Sequence, residues 1–334
     1  MITIADKGPI DVSTLREAID DLDPAVADSL SQLPTVRALA TQAEEGALDS
    51  ETVEATVTAI PELLRNDRSS VHRIAAISGV VLADTDPEVA DEALARLLPM
   101  LEETVTERRA MEAIEYLSTA APDAVAEHHA VAMERLDHPR DGVARQAAGT
   151  LLAVATDAPE RLVDAVPELL AALTDEFKST ADRPRAVQGR NLTDLEHHSR
   201  VEHESSRLIV ARTIAAITES RPEAVADTVL DSDTSEVLIA LFGDQHSRVR
   251  AAATGVASHV AERDPAAIEP AIPQLTELLD DEKSVVRGNV IWTLAALDHP
   301  RAREELRAAR ENDPSDELRE LAASVGPDSE SKSA

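Results

Sequence analysis

The chain has 334 residues, 43% of them hydrophobic, and 64 acidic against 32 basic residues give it a formal net charge of -32. It has no cysteine and only four aromatic residues (Tyr116, Phe177, Phe242 and Trp292), which excludes a disulfide framework, thiolate metal sites and a sandwich core rich in aromatics. No apolar run approaches the roughly 18 residues of a membrane helix, and Met1 to Lys7 lacks a secretory pattern, so the expectation is a soluble, cytoplasmic protein.

Residues 1–55 are predicted to form an N-terminal helical cap, with helix starts at Asp11-Val12-Ser13-Thr14 and Asp49-Ser50-Glu51. From 56 to 300 one unit recurs. Arg73, Arg145, Arg250 and Arg287 each open a run of ten uncharged residues, and a proline follows each arginine by 13 to 15 residues. With Arg109 and Arg207 added, the period is roughly 35 to 37 residues. In a chain with 29% charged residues such runs must be helices covered on nearly every side.

Each unit reads as two helices. Helix A opens on proline and an acid, as in Pro87-Glu88 and Pro222-Glu223, because proline lacks the N–H that would go unpaired and the acid meets the positive helix end. A second proline inside A (Pro61, Pro99, Pro167, Pro273) predicts a kink. A short acidic turn follows, and then the charge-poor helix B with its leading arginine. Asp67 and Arg73, Asp244 and Arg250, and Asp281 and Arg287 stand six residues apart. With Arg145 they are read as a structural ladder of arginines pairing with turn aspartates of their own or adjacent units. An anion-binding track is the other reading of such a row.

The period breaks between Pro159 and Pro222, where an insert at 176–204 is expected to protrude as a loop between helices A and B of one unit. It holds five basic residues against six acidic ones in a chain where acids outnumber bases two to one, and Arg183, Arg185, Arg190 and Arg200 are candidate partner-binding residues. His197, His198 and His203, with nearby glutamates, have the residue types of a metal site but not a complete ligand set. No metal or cofactor is therefore assigned. There is no phosphate loop, nucleophile elbow or catalytic triad, and no basic face interleaved with aromatics for nucleic acid. Residues 301–325 read as C-terminal capping helices, 326–334 as a disordered tail, and Trp292 as packed beneath that cap.

The unit resembles the HEAT-repeat family, whose second helix opens on a Val-Arg step. Val249-Arg250 and Val286-Arg287 match it directly, and Val143-Ala144-Arg145 and Val71-His72-Arg73 with one residue between. The resemblance implies an all-α fold, a right-handed α-α superhelix (solenoid) of about six to seven two-helix units. It also implies a non-catalytic scaffold that binds a protein partner, without membrane, nucleic acid or small molecule. Two alternatives are an enzyme or metal-dependent regulator using the insert histidines, and a nucleic-acid-binding HEAT protein. The excess of carboxylates with only four lysines is similar to the surfaces of haloarchaeal proteins, where concentrated salt screens self-repulsion.

Overall fold

The computed structural model describes residues 50–65, 87–174, 192–297 and 299–326, and among these residues there is no strand. The fold is all-α, the pairwise helix stacking of an α-solenoid, and it divides into two compact units at Ala158 and Pro159. In the first unit the helices are α1 (Ser50–Arg65), α2 (Pro87–Leu97), α3 (Glu107–Ala120), α4 (Pro122–Ala126), α5 (His129–Met133) and α6 (Asp141–Asp157), with a 3-10 turn at Leu98–Glu102. The second unit opens on a 3-10 segment, Pro159–Ala165, followed by α7 (Val166–Thr174), α8 (Leu192–Ser220), α9 (Pro222–Asp231) and α10 (Ser235–Ala240). It continues with α11 (Ser247–Arg263), α12 (Pro265–Ile268), α13 (Ile272–Leu278), α14 (Ser284–Ala296), α15 (Pro300–Asn312) and α16 (Asp316–Val325).

The A position is often broken and the B position continuous. Proline explains much of the difference. Pro99 lies in a 3-10 turn, and Pro273 occupies the first turn of α13 after a 3-10 step at Glu269–Ala271. A missing N–H and a clash with the preceding turn end one helical stretch there and begin the next. The break between α9 and α10 has no proline. Asp233 turns the chain with a φ of 55°, a left-handed conformation that aspartate tolerates better than most residues.

The B helices α3 and α6 pack together in the first unit, and α11 lies between α8 and α14 in the second. A middle helix has neighbours on most sides, so α11 buries Val249, Ala253, Val256, Ala257, Val260 and Ala261. Leu151 of α6 and Leu294 of α14 have no exposed surface. Small side chains let these helices approach closely, which is why so few aromatic residues suffice.

Two expectations change. Residues 192–204 continue helix B as the first part of α8, so the second half of the insert is helical and not a loop. Trp292 is 46% exposed on α14 and does not sit under the C-terminal helices.

Candidate functional site

The acidic turns wire the second unit together by a repeated arrangement. Arg207 donates to the backbone carbonyl of Leu173 and to Asp244 Oδ2 (2.5 Å). Arg250 Nε donates to Asp281 Oδ2 (2.7 Å), and its Nη1 to the backbone carbonyl of Asp244 (2.8 Å). Arg287 grips Asp313 through two bonds (2.9 and 3.1 Å) and donates to the carbonyl of Asp281 (2.8 Å). Each arginine thus uses the backbone of the turn before its helix and the carboxylate of the next turn. The other oxygen of each aspartate closes the turn ahead of the following helix: Oδ1 accepts from the N–H of His246, Lys283 and Ser315 respectively, each the residue just before the first helical turn. One carboxylate serves both the local turn and unit-to-unit stacking.

This arrangement sets the acidity of the rungs. Burial alone would raise Asp281 and Asp313. Hydrogen bonds from Arg250 and Lys283, and from Arg287 and Ser315, with the neighbouring guanidinium charges, hold both carboxyls below the usual value. The Asp244–Arg250 and Asp281–Arg287 pairs of one unit meet through the aspartate's carbonyl; the carboxylates go to the arginine of the preceding unit. Arg207 and Asp313 were missed as rungs, although Asp313 and Arg319 repeat the six-residue spacing.

The first unit wires one junction in reverse. His138 Nδ1 accepts the Arg140 N–H (3.1 Å), the role that an aspartate oxygen has elsewhere. Its Nε2 lies 3.1 Å from Glu107 of α3, so here helix B supplies the carboxylate. Arg145 makes no such pair. It lies near Glu115, whose carboxyl is raised by burial and by Glu112 against the opposing charge of Arg145.

On the B-helix row of the second unit lies an open groove of about 790 Å³. Its floor is made of Ala211, Ala215, Ala251, Ala252, Gly255 and Ser258, and Val285, Asn289 and Trp292 of α14 form one wall. Trp292, Gly255 and Arg212 each stand five residues beyond the ladder arginine of their helix. The central glycine therefore leaves a gap between a tryptophan and an arginine. Arg248 lies toward the N-terminal end of the helices, while Glu219 and Glu262 lie toward the C-terminal end. The exposed Trp292 and Val285 (46% and 57%) make the groove partly apolar.

Sequence reasoning placed candidate binding residues in the insert and did not single out these. Gly255 could have been found: a mid-helix glycine is costly relative to alanine and calls for a local reason. Asp67, Arg73, Arg183, Arg185 and Arg190 lie outside the described residues. So do the side chains of His197, His198, Arg200 and His203, whose backbone belongs to α8. Among the described residues no group of three histidines or carboxylates could hold a metal, and no helix is long and apolar enough to cross a membrane.

Residues 235–325 match the family model of HEAT repeats. No curated protein matches the sequence. A solved structure of computationally designed armadillo repeat proteins for modular peptide recognition is 14% identical with a TM-score of 0.51, over 70% of this chain and 98% of that one. A designed armadillo repeat protein in complex with the peptide (KR)4 is 14% identical with a TM-score of 0.50, covering 70% of this chain and 97% of its own. At these identities the likeness establishes the α-solenoid fold.

Proposed function

We propose that this chain, an α-solenoid with HEAT repeats over 235–325, is a non-catalytic scaffold that holds a protein partner in the groove between α8, α11 and α14. The observation that carries the reading is the opening above Gly255 beside the half-exposed Trp292. Tryptophan set at the edge of a small-residue floor has the character of an interface anchor, since it offers a large contact area at little conformational cost. Designed armadillo repeat proteins of similar fold were made for modular peptide recognition, which supports the reading. The composition supports a cytoplasm of concentrated salt as the working environment.

Gly255→Leu tests the reading. A Cβ at this position would meet Asn289 Nδ2 at 3.4 Å, an ordinary contact, so the helix accommodates it. Replacing a helical glycine with leucine should raise stability by about 0.8 kcal/mol while filling the groove. Affinity capture with wild type and variant should then lose the partner while the melting temperature holds or rises. Retention of the same partner by both Gly255→Leu and Trp292→Ala would sink the groove as the binding site.

A further inference from the structure

Resting on that reading, we infer that the partner segment held in this groove is acidic and apolar together, its carboxylates on Arg212 and Arg248 and its apolar side chains on Trp292 and Val285. Two sets of residues converge there, one charged and one apolar.

In a chain with twice as many acids as bases, surplus carboxylates compete for every guanidinium. Among the described residues of the second unit, every other arginine and lysine is engaged by a carboxylate or by another polar or ring contact. Arg212 and Arg248 are exposed, have neither hydrogen bond nor ion pair, and both line the groove. Their own helices explain how they stay free. The positions three and four residues on, where an acid would hold a guanidinium, are Ala215 and Ala216 on α8 and Ala251 and Ala252 on α11. Asp244, four residues before Arg248, already serves Arg207 and the N–H of His246. Two guanidiniums thus keep their donors for an incoming carboxylate.

Val285 and Trp292 are the large apolar side chains that the second unit exposes among its described residues, and both stand on the α14 wall of the same groove. The two sets share a register. Arg248 and Val285 each stand two residues before the ladder arginine of their helix, and Arg212 and Trp292 each five residues after it. With α11 packed between α8 and α14, each of two levels therefore pairs a free guanidinium with an exposed apolar side chain. The levels are seven residues apart, roughly 10 Å along a helix. A simple anion would leave Trp292 and Val285 wet, and a purely apolar segment would cover the guanidiniums without pairing them. Acids set beside apolar residues satisfy both.

The same residues separate a polypeptide from a nucleic-acid strand, which would also bring anions to the arginines and a base to the tryptophan. Glu219 stands seven residues beyond Arg212, and Glu262 seven beyond Gly255 and 3.4 Å from His259. A strand with a phosphate at every nucleotide meets those carboxylates as soon as it extends past the arginines. A polypeptide sets its charge residue by residue and can place neutral or basic side chains there.

The test uses the full chain in about 1 M KCl, where screening within about 3 Å confines charge effects to direct contacts and silences the repulsion of the whole molecule. A bead-displayed library of random peptides of about ten residues is selected on the wild type and counter-selected on Gly255→Leu. The surviving sequences should be enriched in aspartate or glutamate beside aliphatic or aromatic residues. Trp292 is the only tryptophan in the chain, so its emission reports occupancy directly. A selected peptide should shift that emission to the blue, and exchanging either its acids for amides or its apolar residues for serine should weaken it about tenfold. The double variant Arg212→Glu, Arg248→Glu, with both changes at exposed positions and an unchanged melting temperature, should select lysine and arginine in place of the acids. Basic or charge-neutral sequences selected by the wild type, the same sequences selected by the double variant, no survivors of counter-selection, or tighter binding of oligothymidylate than of any peptide overturns the inference. If capture in lysate still depends on Gly255 in those cases, the scaffold reading stands and only the acidic partner fails; if capture ignores both Gly255→Leu and Trp292→Ala, the scaffold reading fails whatever the library yields.

Discussion

Asp281 uses its two carboxylate oxygens for different purposes, Oδ1 for the N–H of Lys283 and Oδ2 for Arg250. Removing it orphans the Arg250 Nε and opens the turn ahead of α14 in one step. Asp281→Ala should cost about 3 kcal/mol, and in a double-mutant cycle with Arg250→Ala the combined loss should fall short of the sum, as read by urea unfolding. An additive result would show that the pair contributes nothing as a pair. The same rungs fix a pH dependence. Asp281 and Asp313 have lowered folded values, so their contribution is fully present above the ordinary carboxylate value, about 3.9, and is lost as pH falls through the lowered one. Glu115 has the opposite sign. Its folded value is raised, so its ionised form costs stability at neutral pH and protonation relieves that cost as pH falls through the raised value. Glu115→Gln should therefore raise the urea midpoint at neutral pH and leave acid unfolding of the rungs in place. An unchanged or lowered neutral midpoint would contradict burial as the cause.

Helix α14 shows how differently one element treats two positions a half-turn apart. Leu294 has no exposed surface, and Leu294→Asp should cost about 3 to 5 kcal/mol by burying an unpaired charge and losing packing. Trp292→Ser, on the groove side of the same helix, should change stability far less, by about 0.5 kcal/mol, in the same chemical-denaturation measurement. Comparable losses at both positions would mean that Trp292 is part of the core after all. Much of this element was readable from the chain. The uncharged runs after Arg145, Arg250 and Arg287 become the B helices, and the proline positions mark several breaks in the A helices. The destination of each aspartate was not readable in full, because a six-residue spacing within one turn does not say which neighbour the carboxylate faces. Trp292 went astray for a related reason. A single tryptophan in an apolar run reads as core, and only the gap left by Gly255 on the next helix shows that its face is open.

The molecule as a whole carries -32 charges, and its stability must be considered against that repulsion. Exposed carboxylates act on one another through solvent, where the screening length falls from about 10 Å at 0.1 M salt to about 3 Å at 1 M. The ladder is different. Arg250–Asp281 and Arg287–Asp313 are direct hydrogen-bonded contacts with Asp281 and Asp313 nearly buried, so salt reaches them far less. Raising KCl should therefore remove the repulsive contribution while leaving the rungs, and the melting temperature should climb from low to molar salt. The comparison that isolates the cause uses NaCl and KCl against an equal osmolarity of glycerol, followed by helical circular dichroism. A melting temperature that stays flat or falls across the salt series, or one that glycerol raises equally, would show that surface repulsion is not what limits this fold. In the Asp281→Ala variant the whole curve should lie lower at every salt concentration with its slope preserved, because the lost rung and the screened surface act on separate groups.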